Sequence, residues 1–137
     1  MSQADVVRVL VLCDTDSYVK WGAALGDRFP DDWRVDLVVA RSTAAPSASQ
    51  LADALAGTAA AGSTPDVVGL ADLRRRLQSE RPDVLVLSAR GWTVQAATSV
   101  VDNVPGRPVI VTGLPGVGVP VLPLDAPVEV ELLVEVK

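Results

Sequence analysis

The sequence predicts an α/β domain built on a doubly wound, mostly parallel five-stranded sheet in strand order 3-2-1-4-5. Three observations carry that expectation. Runs dense in Val, Leu and Ile recur along the chain, as befits strands covered by helices on both faces. Between them lie stretches whose apolar residues recur at spacings of three and four. Aromatic residues make up only 4% of the chain, so the core must be assembled from Val, Leu and Ala, a composition suited to such strands.

Each element follows in order. Four runs read as strands: "VVRVLVLC" (6–13), "WRVDLVVA" (33–40), "DVLVLSA" (83–89) and "RPVIVTG" (107–113). A shorter run, "PDVVGL" (65–70), fits an edge strand. In "SYVKWGAALGDRF" (17–29), Tyr18, Trp21, Leu25 and Phe29 share a helical face, and Pro30 stops the helix. "SASQLADALAG" (47–57) sets Leu51 and Leu55 on one face, with Ser49 as a cap and Gly57 as terminator. "LADLRRRLQSE" (70–80) gathers Leu70, Leu73 and Leu77 and turns Arg74, Arg75 and Arg76 outward. "WTVQAATSVVDN" (92–103) is the weakest helix because of its β-branched residues. Strands alternating with helices require crossover connections, right-handed in nearly all cases, and this gives a parallel, Rossmann-like sheet. The stretch 56–65 reads as a surface loop.

The end of the sequence breaks the pattern. In "VEVELLVEVK" (128–137), Val128, Val130, Leu132, Val134 and Val136 alternate with Glu129, Glu131, Leu133 and Glu135. Period two indicates a half-exposed strand at an edge or against a partner. The expected division is therefore a Rossmann-like domain over 1–118 and an extension over 119–137 with an extra C-terminal edge strand, which packs on the same domain or on a partner.

Composition narrows the functions. A chain of 137 residues, 49% of them hydrophobic, is long enough to bury roughly 68% of its unfolded surface in one domain. The net charge is −5, with ten Arg and two Lys, so nucleic acid is not an expected partner. One cysteine, Cys13, allows no internal disulfide and no multi-cysteine metal site. No basic leader or membrane-length apolar run is visible, and a cytoplasmic, membrane-free location is expected. Histidine is absent, which removes histidine general bases, Ser-His-Asp triads and histidine-bound zinc. Neither a metal nor a cofactor is expected.

In an open parallel sheet, ligands bind beyond the carboxyl ends of the strands where the strand order reverses. Here that point falls between the first and fourth strands. It gathers "CDTDSY" (13–18), "ARST" (40–43), "SARGW" (88–92) and "TGLPGVG" (112–118). Asp14 and Asp16 are the candidate acid/base residues. The competing reading is structural, since Asp16 or Ser17 can accept from the first free amides of the following helix. Lys20, one turn on, neutralises an anion or pairs with Asp16. A D-x-D after a first strand also fits a haloacid-dehalogenase-like phosphatase, with Ser42, Ser88 or Thr112 as the strand-end hydroxyl. That reading lacks the late acidic pair such enzymes use for magnesium. The glycines of "GLPGVG" form neither a dinucleotide fingerprint nor a Walker loop.

The segments "RVLVLCDTDSYVKWGAAL", "DLVVARSTAAPSASQLADAL", "ERPDVLVLSARG" and "RPVIVTGLPG", in that order, resemble the N-terminal half of an uncharacterised bacterial glycosyltransferase-like family of GT-B architecture. The resemblance covers about residues 7–118. It implies an acceptor-side domain facing a nucleotide-sugar domain across a cleft, without a metal. Asp14 and Asp16 would reach the cleft as acceptor-activating groups, and Ser17, Arg41, Ser42, Arg90, Gly91, Gly113 and Gly116 would line it. The expectation is a transferase-related domain that binds a small polar or sugar-like ligand and is inactive alone, with a second domain or a second copy as partner. The alternative is a non-catalytic interaction module dimerising through its C-terminal strand.

Overall fold

The computed structural model describes residues 6–43 and 45–112. Five strands, β1 (Arg8–Cys13), β2 (Arg34–Ala40), β3 (Asp66–Val68), β4 (Val84–Ser88) and β5 (Val109–Thr112), alternate with four helices. The helices are α1 (Asp16–Gly26), α2 (Ala48–Leu55), α3 (Leu70–Glu80) and α4 (Gly91–Asp102). All strand pairs are parallel, in the order β3-β2-β1-β4-β5. The predicted fold class is thus the observed one.

The apolar runs of the central strands serve two cores at once, because successive side chains point to opposite faces. On one face Leu10, Leu12, Leu85, Leu87 and Ile110 pack with Leu73 and Leu77 of α3 and Ala97 and Val101 of α4. On the other, Val9, Val11, Cys13, Val39 and Val86 pack with Val19 and Ala23 of α1 and Ala54 and Leu55 of α2. β1 sits in the middle with everything after Arg8 buried.

Helix details depart from the sequence reading in instructive ways. α1 buries Val19, Gly22 and Ala23, whereas Tyr18, Trp21 and Leu25 are only half-buried. Gly22 explains this: a Cβ there would lie 2.9 Å from Cys13 Sγ and 3.0 Å from Val11 Cγ1. The helix approaches the sheet so closely that small residues take the contact and large ones flank it. Phe29 falls beyond the helix and stacks on Trp33, ring centroids 5.3 Å apart.

The cap of α2 is Ser47 rather than Ser49: Ser47 Oγ accepts from the Gln50 amide at 3.2 Å, and Gln50 Oε1 accepts from the Ser47 amide at 2.8 Å. In α3, Leu73 and Leu77 are buried as expected, but Leu70 is 52% exposed at the first helical position. Arg74 and Arg75 face solvent, while Arg76 bridges Asp66 at 2.7 Å and Glu80 at 3.4 Å. α4 forms a full three turns despite its β-branched residues, because Thr93, Ala97 and Val101 face the core and tertiary burial outweighs propensity. Among the described residues no helix is long and apolar enough to cross a membrane. The expected C-terminal strand, the 119–137 extension, Gly113 and Gly116 lie outside the described residues.

Candidate functional site

The strand order reverses between β1 and β4, whose carboxyl ends lie side by side, Cys13 opposite Ser88. The chain leaves β1 through Asp14 and Thr15 into α1, and leaves β4 through Ala89 and Arg90 into α4. Two helices therefore begin at the same crevice.

Asp14 is completely buried. A carboxylate there needs strong partners to remain in place. Its Oδ2 accepts from the Arg90 amide at 3.1 Å, Arg90 Nε at 2.8 Å and Thr93 Oγ1 at 3.0 Å. The tip of β1 is thereby tied to the cap position and third residue of α4. The sequence offers Asp14 as a ligand-facing or acid/base candidate; in the structure its carboxylate is enclosed and bonded to Arg90.

Arg90 is the more open member of the pair, its side chain 34% exposed. Its guanidinium lies over the Trp92 ring, 5.0 Å from the centroid, and that ring is 58% exposed. Two buried atoms of this pair have no hydrogen-bond partner among the described residues, Asp14 Oδ1 and Arg90 Nη2. The amides of Thr93 and Val94 both donate to the Arg90 carbonyl at 3.0 Å, leaving those of Gly91 and Trp92 without a partner among the described residues. A Cβ on Gly91 would meet nothing within 4 Å, so the space in front of these donors is open.

Asp16 opens α1 as its first residue, exposed, and its Oδ1 accepts from the Ser17 amide at 2.9 Å. The cap position belongs to Thr15, which makes no side-chain cap bond. Ser17 and Lys20 are exposed on the same two turns. Lys20 forms no salt bridge with Asp16 or any other described carboxylate. Two of the three hydroxyls considered for phosphatase chemistry are held by backbone carbonyls: Ser88 Oγ donates to that of Tyr18 at 2.7 Å and Thr112 Oγ1 to that of Leu87 at 2.9 Å. Asp14, the nucleophile in that reading, offers solvent no oxygen.

Arg41 is turned away from this crevice. Its amide donates to the Val68 carbonyl at 2.8 Å, and its Nη1 lies 3.3 Å from where a Cβ on Gly69 would be, at the start of α3. Ser42 follows it, its carbonyl accepting from the Ala45 amide at 3.2 Å. The structure thus gathers Asp14, Asp16, Ser17, Lys20, Arg90 and Gly91 around the two helix starts and sets Arg41 on the β2–β3 side. Thr93 and Trp92 were not foreseen as site residues; the only signal was their place in the first turn after "SARG".

Cys13, beneath Asp14, is buried with it. Burial first, and then the charge of Asp14, push its thiol pKa far up against a hydrogen bond with Ser88, so it stays protonated and unreactive. Among the described residues no group of three or more Cys, Asp or Glu could hold a metal ion. A cavity of about 670 Å³ lies elsewhere, along β2 and the end of α1. None of the switch-point side chains lines it.

Residues 9–127 match the family described as "Putative glycosyltransferase (DUF6716)". No curated protein and no solved structure matches the chain.

Proposed function

The chain belongs to the DUF6716 family, and from that premise we propose that it acts as the acceptor-side domain of a glycosyltransferase, holding a small polar ligand at the switch point between β1 and β4. One observation supports the reading above the rest: a guanidinium side chain fixed by a buried carboxylate and still 34% exposed beside the start of α4. Beside it stand two unpartnered amides at the start of α4, the positive end of a helix dipole. The exposed Trp92 ring offers a flat surface for the apolar face of a sugar. The donors favour a ligand rich in oxygen acceptors, such as a hydroxylated or anionic acceptor.

In this reading Asp14 is a positioning residue that sets the direction of Arg90. Asp16 is the carboxylate open to solvent, and deprotonation of an acceptor hydroxyl falls to it. The domain binds without turnover by itself. Transfer needs donor and acceptor held in near-attack geometry, an effect worth about 7–11 kcal/mol, and a single strand-end site holds one of the two.

The test is a thermal-shift screen with sugars, nucleotides and nucleotide sugars on the wild type and on Gly91→Leu, whose side chain would project into the open space above the amides. A ligand at 100 times its Kd should add about 2.7 kcal/mol of stability. The expected result is a shift for the wild type that Gly91→Leu abolishes while its ligand-free melting temperature is unchanged. Silence across the screen, or a shift indifferent to Gly91→Leu, overturns the site. Conversion of a nucleotide sugar by the purified chain alone overturns binding without turnover.

A further inference from the structure

We propose that the open edge of β2 and the acidic groove beside it bind an extended, basic peptide segment of a partner protein, which adds to the sheet where β3 stops short. β3 has three residues and pairs only with Val38, Val39 and Ala40. β2 starts four residues earlier, at Arg34, so half of its outer edge has no neighbouring strand among the described residues.

The direction of the edge groups follows from alternation along β2. The Arg34 amide donates to the Val7 carbonyl, toward β1, and the Arg41 amide to the Val68 carbonyl, toward β3. The backbone groups of odd-numbered residues therefore point away from β1, and the amides of Val35 and Leu37 point to the side that has no paired strand, where residues 63–66 lead into β3. Neither makes a hydrogen bond there among the described residues. The two donors are about 6.6 Å apart along the edge, matching alternate carbonyls of an extended chain.

The cavity of about 670 Å³ lies against this edge, within the size range of ligand clefts. Half-buried Val35 and Leu37 and the stacked Phe29–Trp33 pair supply apolar contact. Its charged lining is Asp27, Asp31, Asp36 and Asp66 against one cation, Arg76. Arg76 already holds Asp66 and Glu80, and the Asp27 carboxylate accepts from the Ala59 amide. Asp31 and Asp36 are exposed and form no ion pair among the described residues. Charge complementarity therefore selects a segment with Lys or Arg at alternate positions. The chain's own residues 128–136 also alternate, but with Glu129, Glu131 and Glu135, the same sign as the groove.

The experiment titrates ¹⁵N-labelled full chain with the peptide Ac-Lys-Val-Arg-Val-Lys-NH₂, with its Glu-for-Lys/Arg counterpart, and with free arginine amide. The basic peptide should shift the Val35 and Leu37 amides. Asp31→Asn with Asp36→Asn, both on the surface and safe for folding, should weaken binding about threefold through two lost ion pairs. Val35→Pro should weaken it about tenfold relative to Val35→Ala, which loses the same apolar side chain but keeps the outward donor. Unmoved Val35 and Leu37 amides at millimolar peptide, or equal binding of the acidic peptide, overturn the proposal. Equal affinity for arginine amide also overturns it, by showing a small-cation site that does not read the strand edge.

Discussion

Asp14→Asn and Arg90→Met, made singly and together, measure the tie across the switch point. The asparagine side chain would keep the shape and an acceptor for the three donors but lose the charge, and charge-assisted hydrogen bonds are roughly twice as strong as neutral ones. Three bonds at 2.8–3.1 Å are affected, so the expected cost is ~2 kcal/mol. Removing the Arg90 side chain leaves a buried carboxylate with two neutral donors. Breaking a fully buried pair costs ~3–5 kcal/mol, and the 34% exposure of Arg90 brings this toward ~2–3 kcal/mol. With the partner already gone, each second substitution should cost less, giving a coupling of ~1.5 kcal/mol. Urea unfolding followed by tryptophan emission reads it, and Trp92 beneath the guanidinium makes the native signal sensitive to the pair. A coupling under ~0.5 kcal/mol, or an Asp14→Asn protein as stable as the wild type, would refute the anchoring argument and return Asp14 to the ligand-facing role read from the sequence.

Gly22→Ala should destabilise by ~1–2 kcal/mol in denaturant, because a Cβ 2.9 Å from Cys13 Sγ outweighs the ~1 kcal/mol gain in helix propensity; a more stable variant would mean that α1 lifts off the sheet at little cost. Cys13 should resist thiol reagents in the native protein and react only as fast as the domain unfolds, since burial and the neighbouring Asp14 keep the thiol protonated; rapid labelling in native buffer would contradict this. The Asp72 carboxyl is held below its ordinary value of 3.8 by the Gly69 amide and then by Arg75. Its stabilisation is thus fully present above 3.8 and lost as pH falls through the lower folded-state value. Asp72→Asn should flatten that part of an acid titration of stability, and an unchanged acid limb would show that the cap bond contributes nothing.

The sheet was legible because each strand run is apolar, bounded by turn residues and separated by a helix-spaced segment, so topology followed from crossover handedness. The close face of α1 was hidden, because hydrophobicity marks the largest residues and Gly22 carries the contact by having no side chain. Which segments meet where β1 and β4 part was legible from strand order, but the contacts of Asp14 were not. Its partners lie 76 and 79 positions downstream, and Thr93 looks in sequence like one more β-branched residue in a weak helix. Nor could residue types show that Arg41 turns toward Gly69 while Arg90 turns toward Asp14. The groove along β2 depends on where β3 begins, and a three-residue strand leaves little periodicity to read.

The central position of β1 also sets an order of events in time. Its partners are β2 on one side and β4 on the other, so a nascent chain that has emerged only through Val68 holds β1, β2 and β3 with one flank of β1 uncovered. The stretch from Val68 to Ser88, roughly 20 residues, takes about 1–4 s to synthesise at about 5–20 residues per second. For that interval Leu10 and Leu12 also lack the α3 and α4 residues that later cover them. Pairing across so long a separation is slow to nucleate, and an apolar strand edge left waiting is a template for association. The vulnerable moment for this protein therefore comes before β4 leaves the ribosome, and factors that shield nascent chains matter most while the first three strands stand alone.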